Sequence, residues 1–376
     1  MLRELLMGIA GGTLSGISPG IHVNTLAAFL DGLGIGDNLL LFAMGLTHTF
    51  LDVIPSAFLG VPDEGTALGV LPAHRLVMEG RAMEVVRIAL WASLLAVLVS
   101  FPLIPLYLRI APLYRPGFGR FAVLLLAAFL ILAERGTLKL YALLIFLLSG
   151  LLGILTFRLG LNQPFYHLFT GLFGIPVILL ALERKNSPAF ESKGREILME
   201  EKHFTAFSFL GTILGMVASL VPAFTASQAA LMGSFISRDE RSFLAVVFSV
   251  NTANFLFSFL NFLATGRRRN GIVALMNPLP RGTLTFYLLA ALFVSIAVLL
   301  YGEPLAGVIL GVLRRIPYRT LNSSVLLFLV VLSYAFDGFP GVLVLTGASM
   351  VGVLAVLLGV KRTNCMGVLM LPIIIG

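Results

Sequence analysis

The stretch Gly8-Ile9-Ala10-Gly11-Gly12-Thr13-Leu14-Ser15-Gly16-Ile17-Ser18-Pro19-Gly20 decides how this chain is read. Glycine at 8, 12, 16 and 20 recurs every fourth residue, which leaves one helix face bare and lets another backbone pack against it. Pro19 cannot donate a backbone hydrogen bond and clashes with the preceding turn, so the helix is expected to break at Ser18-Pro19-Gly20. The surroundings are apolar. Hydrophobic residues make up 58% of the 376 residues and charged residues 12%, against about 25% charged in a soluble domain. Such a chain cannot cover itself with a solvated surface. The composition excludes a disordered protein, a disulfide scaffold and an ordinary cytosolic enzyme, and it predicts an all-α polytopic membrane protein with Pro/Gly-broken helices.

A bilayer core takes about 20 apolar residues per helix. On that ruler the apolar segments are 5–30, 39–61, 85–108, 121–133, 138–157 and 165–182, then 204–232, 243–264, 283–300, 321–336 and 341–360, followed by a short apolar tail. Segment 121–133 is short enough to be half of a hairpin that does not cross fully. The most polar stretch separates the two groups, which divides the chain into a first membrane repeat (1–182), a polar linker (183–203) and a second membrane repeat (204–376). The N-terminus imitates a signal peptide, but its apolar run continues past Leu30 and reads as a retained first segment.

The two groups repeat one another. Gly211, Gly215, Ser219 and Ala223 carry the rhythm of Gly8, Gly12, Gly16 and Gly20 at a displacement of 203 residues (211 − 8 and 223 − 20). Pro222 answers Pro19, His48-Thr49 falls on Asn251-Thr252, and Gly136 and Asn162 pair with Gly338 and Asn364 at 202 (338 − 136). Two homologous halves of five to six segments each follow, a hallmark of secondary transporters. The charges pull both ways on their orientation. Arg109, Arg115 and Arg120 match Arg314, Arg315 and Arg319, as parallel copies would have it; residues 63–87 are near neutral where 267–281 are basic, as inverted copies would. The broken helices favour inverted repeats.

Broken backbone at bilayer depth is costly unless it is buried in protein or lines a wet cavity. A half-helix starting near Ile21 offers free N–H groups and a positive dipole end to an anion. The substrate-binding candidates are therefore Ser18, Pro19, Gly20, His22, Asn24 and Thr25 at the first break, and Pro222, Thr225, Ser227 and Gln228 at the second, with Asn251 and Asn254 beyond. His48 and Asp52 lie one turn apart on one helix face. They read either as a proton relay, cation ligand or substrate contact, or as a buried hydrogen-bonded pair that holds the fold. Asp63 and Glu64 could bind a coupling cation or simply be solvated at the membrane edge.

The net charge of +8 sits in short runs, Arg267-Arg268-Arg269, Arg314-Arg315 and Lys361-Arg362, which read as anchors facing anionic membrane lipid and not as a nucleic-acid surface. The single Cys365 forms no thiolate cluster. No nucleophile elbow, Walker loop or zinc helix is found, so no enzyme activity, cofactor or metal site is expected. His74, His167 and His203 read as interfacial or structural.

These residues resemble the TctA family, the large permease subunit of tripartite tricarboxylate transporters, and in particular its shorter, archaeal-type branch of uncharacterised membrane proteins. The likeness rests on Gly12 to Gly20, Ile54-Pro55-Ser56-Ala57-Phe58-Leu59-Gly60-Val61-Pro62-Asp63-Glu64, Leu71 to Arg75, Gly80-Arg81-Ala82, Gly215 to Pro222, Asn251-Thr252-Ala253-Asn254 and Lys361 to Leu369. It implies a multi-pass plasma-membrane permease that takes up a small organic anion, a carboxylate, on a proton or sodium gradient. The family also works with a small membrane subunit and an extracytoplasmic binding protein; neither can be inferred from this chain, and a homo-oligomer is compatible with it. The alternative is a translocase for a polyprenyl-phosphate or other lipid, whose phosphate would suit the same half-helix N-termini.

Overall fold

A computed structural model describes residues 1–376 apart from 64, 114–115, 184–193, 222–224, 238 and 376. Helix α1 (Leu2–Ile17) stops where the proline predicts: Ser18 leaves it in extended conformation (φ −87°, ψ 115°). Helix α2 (Val23–Gly32) restarts behind His22, whose Nδ1 accepts the Asn24 amide at 3.1 Å. The pair α3 (Asn38–Leu51) and α4 (Val53–Leu59) forms a nearly continuous rod, buried except at its two ends. The Asp37 carboxylate caps its start, and Gly60 ends it with φ 70°, a left-handed turn that glycine enters without penalty. Then follow α5 (Val70–Met78), the 29-residue α6 (Ala82–Ile110), α7 (Pro116–Leu132) and α8 (Leu138–Arg158). Helix α9 (Pro164–Phe169) passes through a π-helical turn, Thr170–Gly174, into α10 (Ile175–Glu183).

The second half runs α11 (Glu201–Leu220), α12 (Ala226–Gly233), α13 (Glu240–Thr265), α14 (Gly271–Leu275), α15 (Leu284–Leu313), α16 (Tyr318–Leu357) and α17 (Gly367–Ile375). Inside α16, Asp337 and Gly338 leave helical geometry, Gly338 at φ 61° and ψ −148°. No strand occurs among the described residues, and seven helical stretches are long and apolar enough to cross a membrane. Leu300, Val308, Leu327 and Met350 stand exposed on α15 and α16, where a bilayer and not water would suit them.

The glycine rhythm is a contact surface in both halves. A Cβ at Gly8 would sit 2.5 Å from the Leu40 carbonyl oxygen, and one at Gly12 would strike the Met44 carbonyl, so α1 lies backbone-to-backbone on α3. Likewise α11 lies on α13, where a Cβ at Gly211 or Gly215 would come 2.6 Å from the Val246 or Val250 carbonyl oxygen. Helices α3 and α13 cross antiparallel: Phe42 stacks near Phe259 (centroids 4.6 Å apart), Thr49 meets Thr252, and Asp52 meets Asn251.

The halves also exchange partners at their far ends. Asp337 in the α16 break accepts Asn162 Nδ2 at 3.0 Å and His167 Nε2 at 2.8 Å, while Glu134, after α7, accepts Asn364 Nδ2 at 3.2 Å. The apolar tail is not peripheral. Val368 and Leu371 of α17 fill the groove left by Gly150 and Gly153 on α8, so the tail belongs to the core. Of the polar linker, the described end is docked: Leu198 N–H donates to the buried Glu84 carboxylate at 2.7 Å, which Arg241 also pairs at 2.7 Å.

Candidate functional site

Residues flanking both helix breaks line one cavity of about 650 Å³, a size that suits a small-molecule ligand. From the first break come His22, Val23 and Asn24, and from the second Val221, Thr225 and Ala226. The two breaks share a local geometry. Val221 leaves α11 at φ −84°, ψ 119°, close to Ser18, and Thr225 caps α12 as His22 caps α2. Thr225 and Gln228 form a reciprocal capping box, with N···O distances of 3.0 and 3.3 Å. The N-terminal ends of α2 and α12 therefore both face the chamber and give it a positive partial charge.

A third wall comes from the segment before α14. Arg268, Arg269, Asn270 and Gly271 line the cavity. The Arg269 guanidinium donates to the Leu220 carbonyl at the C-terminal end of α11, and Arg268 donates to the Ala274 and Met276 carbonyls. Gly271 is needed here, since a Cβ would come 2.5 Å from the Asn24 side chain. Asn251 and Asn254 of α13 complete the polar lining.

Next to this chamber lies a pocket of about 70 Å³, room for an ion or a water or two. His22, Asn24, His48, Asp63 and Phe165 line both spaces. Within it, His48 Nε2 lies 3.2 Å from Asp63 Oδ2, His22 Nε2 lies 3.5 Å from Asp63 Oδ1, and Ser15 Oγ lies 3.1 Å from His48 Nδ1. Asp52 also lines this pocket; its Oδ2 accepts Asn251 Nδ2 at 2.7 Å, and its buried Oδ1 meets no side-chain donor among the described residues. The large chamber thus carries helix N-termini and arginines, and the small one carries carboxylates and imidazoles.

Ser18, Gly20, His22, Asn24, His48 and Asp52 reach the small pocket, and His22, Asn24, His48, Thr225, Asn251 and Asn254 reach the large one. Pro19 and Thr25 stand on neither wall. Ser227 and Gln228 are fully buried, Gln228 in its cap, so their side chains do not reach the chamber. Pro222 and Glu64 lie outside the described residues.

Two readings change. The partner of His48 is Asp63, not Asp52 one turn away, because the Gly60 turn folds the following loop back over α3. Asp63 is thereby drawn in from the membrane edge to the wall of both spaces. Arg268 and Arg269, read as lipid anchors, also face the chamber; the helix-start pattern Asn270-Gly271 after them was the available signal. The other histidines hold structure: His74 Nδ1 lies 2.8 Å from the Ala57 carbonyl, His167 binds Asp337, and His203 sits at the surface beside Glu200.

Among the proteins this chain is similar to is "Uncharacterized protein MJ1079" of Methanocaldococcus jannaschii, 30% identical over 399 residues, covering 100% of this chain and 98% of that protein. No solved structure matches. The sequence matches the family described as "Tripartite tricarboxylate transporter TctA family" over residues 2–367. A multi-pass helical chain that matches this transporter family over nearly its whole length belongs to it: this is a member of the TctA family of tripartite tricarboxylate transporters.

Proposed function

We propose that this chain is the permease through which a small organic anion, a carboxylate, crosses the plasma membrane, driven by a proton or sodium gradient. The observation that carries the proposal is that the N-terminal ends of α2 and α12, one from each break, face a single chamber. Amides at a helix N-terminus attract negative charge. Asn24, Thr225, Asn251 and Asn254 would add donors to the carboxylate oxygens, and Arg268 and Arg269 would raise the local potential. The neighbouring acidic pocket, which includes His48 and Asp52, is where the coupling cation or proton would act. Because His22, His48 and Asp63 belong to both walls, a charge change on one side is felt on the other.

The two halves fit this reading as inverted copies. Corresponding helices α3 and α13 cross antiparallel, which parallel copies would not do, and an interrupted helix from each copy at a common site is the usual design of such carriers. The family name also points to partner subunits; in this reading a small membrane subunit and an extracytoplasmic binding protein deliver the anion.

Reconstituted protein in liposomes should accumulate radiolabelled di- or tricarboxylate when an inward proton or sodium gradient is imposed, and should not without it. Accumulation of no anion under either gradient sinks the proposal. An arm of the same assay with a labelled polyprenyl phosphate tests the lipid translocase; flipping of that lipid with no carboxylate uptake would replace the present reading.

A further inference from the structure

We propose that the small pocket is a binding site for a divalent transition-metal ion, held by His48, Asp63 and His22. The three residues come from different elements: His22 from the first break, His48 from the middle of α3, and Asp63 from the loop after α4. Their ligand atoms all lie within 4.8 Å of one another. Each imidazole approaches its own oxygen of the Asp63 carboxylate, His48 Nε2 at 3.2 Å from Oδ2 and His22 Nε2 at 3.5 Å from Oδ1, so the carboxylate would bind through both oxygens. A tetrahedral metal with bonds of about 2.0–2.1 Å has ligand–ligand edges of about 3.3 Å.

The proton arrangement can accommodate a cation there. When the Ser15 hydroxyl donates to the Gly12 carbonyl at 3.2 Å, its oxygen accepts from His48 Nδ1–H at 3.1 Å. In that tautomer the Nε2 lone pair faces the Asp63 carboxylate at 3.2 Å, and a cation between them satisfies both. A histidine whose outer N–H is fixed by a neighbour while the inner nitrogen faces a carboxylate has the usual second-shell arrangement of a metal ligand. Asp52 lines the same pocket, and its buried Oδ1, which meets no side-chain donor among the described residues, is available as a fourth ligand. Imidazole nitrogen with carboxylate oxygen selects zinc, cobalt or nickel over sodium or magnesium. Binding by His22 Nε2 has a structural consequence: its proton moves to Nδ1, which can then no longer accept the Asn24 amide that starts α2. The site stands on these contacts whether or not the adjoining chamber carries an anion.

The test uses the full-length protein in detergent, stripped with chelator and titrated with cobalt(II), with visible absorption and elemental analysis after dialysis as readouts. One cobalt per chain is expected, displaced by zinc. His48→Gln and Asp63→Asn should each weaken binding at least tenfold, while His203→Gln at the surface should leave it unchanged. Should either ligand variant lose its folded, monodisperse state, Ser15→Ala keeps every ligand and is still expected to weaken binding about tenfold. Wild-type protein without stoichiometric metal, or folded ligand variants and Ser15→Ala that bind as wild type does, overturns the proposal; His48 would then carry a proton instead. The transport reading fails separately: metal binding with no anion uptake removes the carrier and keeps the site, and gradient-driven uptake by protein that binds no metal does the reverse.

Discussion

Thr252 donates its hydroxyl to Thr49 over 3.1 Å, and the two residues are 203 positions apart. That is the displacement at which the glycines, the prolines and the helix caps recur. In a molecule built from two like halves, a residue meets its own counterpart only on the two-fold axis. Helices α3 and α13 pass one another there antiparallel, as the inverted halves proposed above would require of an axis lying in the plane of a membrane. The exchange of Asp337–Asn162 for Glu134–Asn364 has the same reciprocal form. These relations support the inverted arrangement proposed above.

Inverted copies place corresponding surface turns on opposite faces of the membrane. Leu33, after α2, and Ile236, after α12, are counterparts and are 57% and 56% exposed. In protein whose buried Cys365 is replaced by Ala, Leu33→Cys should react with a membrane-impermeant maleimide from one side of oriented vesicles, and Ile236→Cys only from the other. Labelling of both from the same side would show the copies to be parallel.

How much of this was legible beforehand depended on how local the cause was. Pro19 breaks α1 through its own ring, and the glycine face of α1 packs by its own lack of side chains, so both could be read from the residues. The His48–Asp63 pair could not, because it depends on a left-handed turn at Gly60 and on which way the loop after it folds. Helical spacing offered Asp52 instead, which found Asn251 on another helix. Ser227 shows the same dependence: its polar type marked it as a donor, and its place on α12 leaves it fully buried.

The close approach of helix backbones makes certain glycines irreplaceable. A methyl at Gly12 or Gly215 would press on a carbonyl oxygen of the next helix, which cannot yield without moving the backbone. Gly12→Ala and Gly215→Ala should each destabilise by about 1–3 kcal/mol, seen as lower melting temperatures in detergent. Gly311→Ala in α15 meets nothing within 4 Å and should leave the melting temperature level or raise it. Equal melting of all three variants would mean that the helices stand further apart than described.

Acid should weaken the start of α13. Burial pushes the Asp239 carboxyl up, but hydrogen bonds from the Ser242 hydroxyl and from the Ser242 and Arg241 amides outweigh it and hold the group below its ordinary range. A lowered folded pKa means that the stabilisation is complete above the unfolded value of about 3.9 and is lost as pH falls through the folded value beneath it. Asp239→Ala should therefore cost about 1 kcal/mol at pH 6, and progressively less once the pH falls below about 3.9. Melting scans of the two proteins at pH 6 and pH 3 check this; a gap that widens in acid would contradict it.

Asn251 holds the buried Asp52 side chain by a hydrogen bond from Nδ2 to Oδ2 at 2.7 Å, while Oδ1 meets no side-chain donor among the described residues. Asn251→Leu keeps the volume and removes the donor, leaving Oδ2 without its amide partner inside the protein. An orphaned buried acceptor costs about 1–3 kcal/mol, so Asn251→Leu should melt clearly below wild type. Asp52→Asn already breaks the same Asn251–carboxyl contact on its own, so the double variant should lose less than the sum of the two single losses. Gly65 offers a second check on the same contact, because there is no room for a Cβ between it and Asn251 Oδ1. Gly65→Ala should push the amide off Asp52 and reproduce part of the Asn251→Leu loss. Simple additivity of the two single changes, with Gly65→Ala indistinguishable from wild type, would mean that Asn251 and Asp52 do not depend on each other and that the wall between the two spaces is built differently.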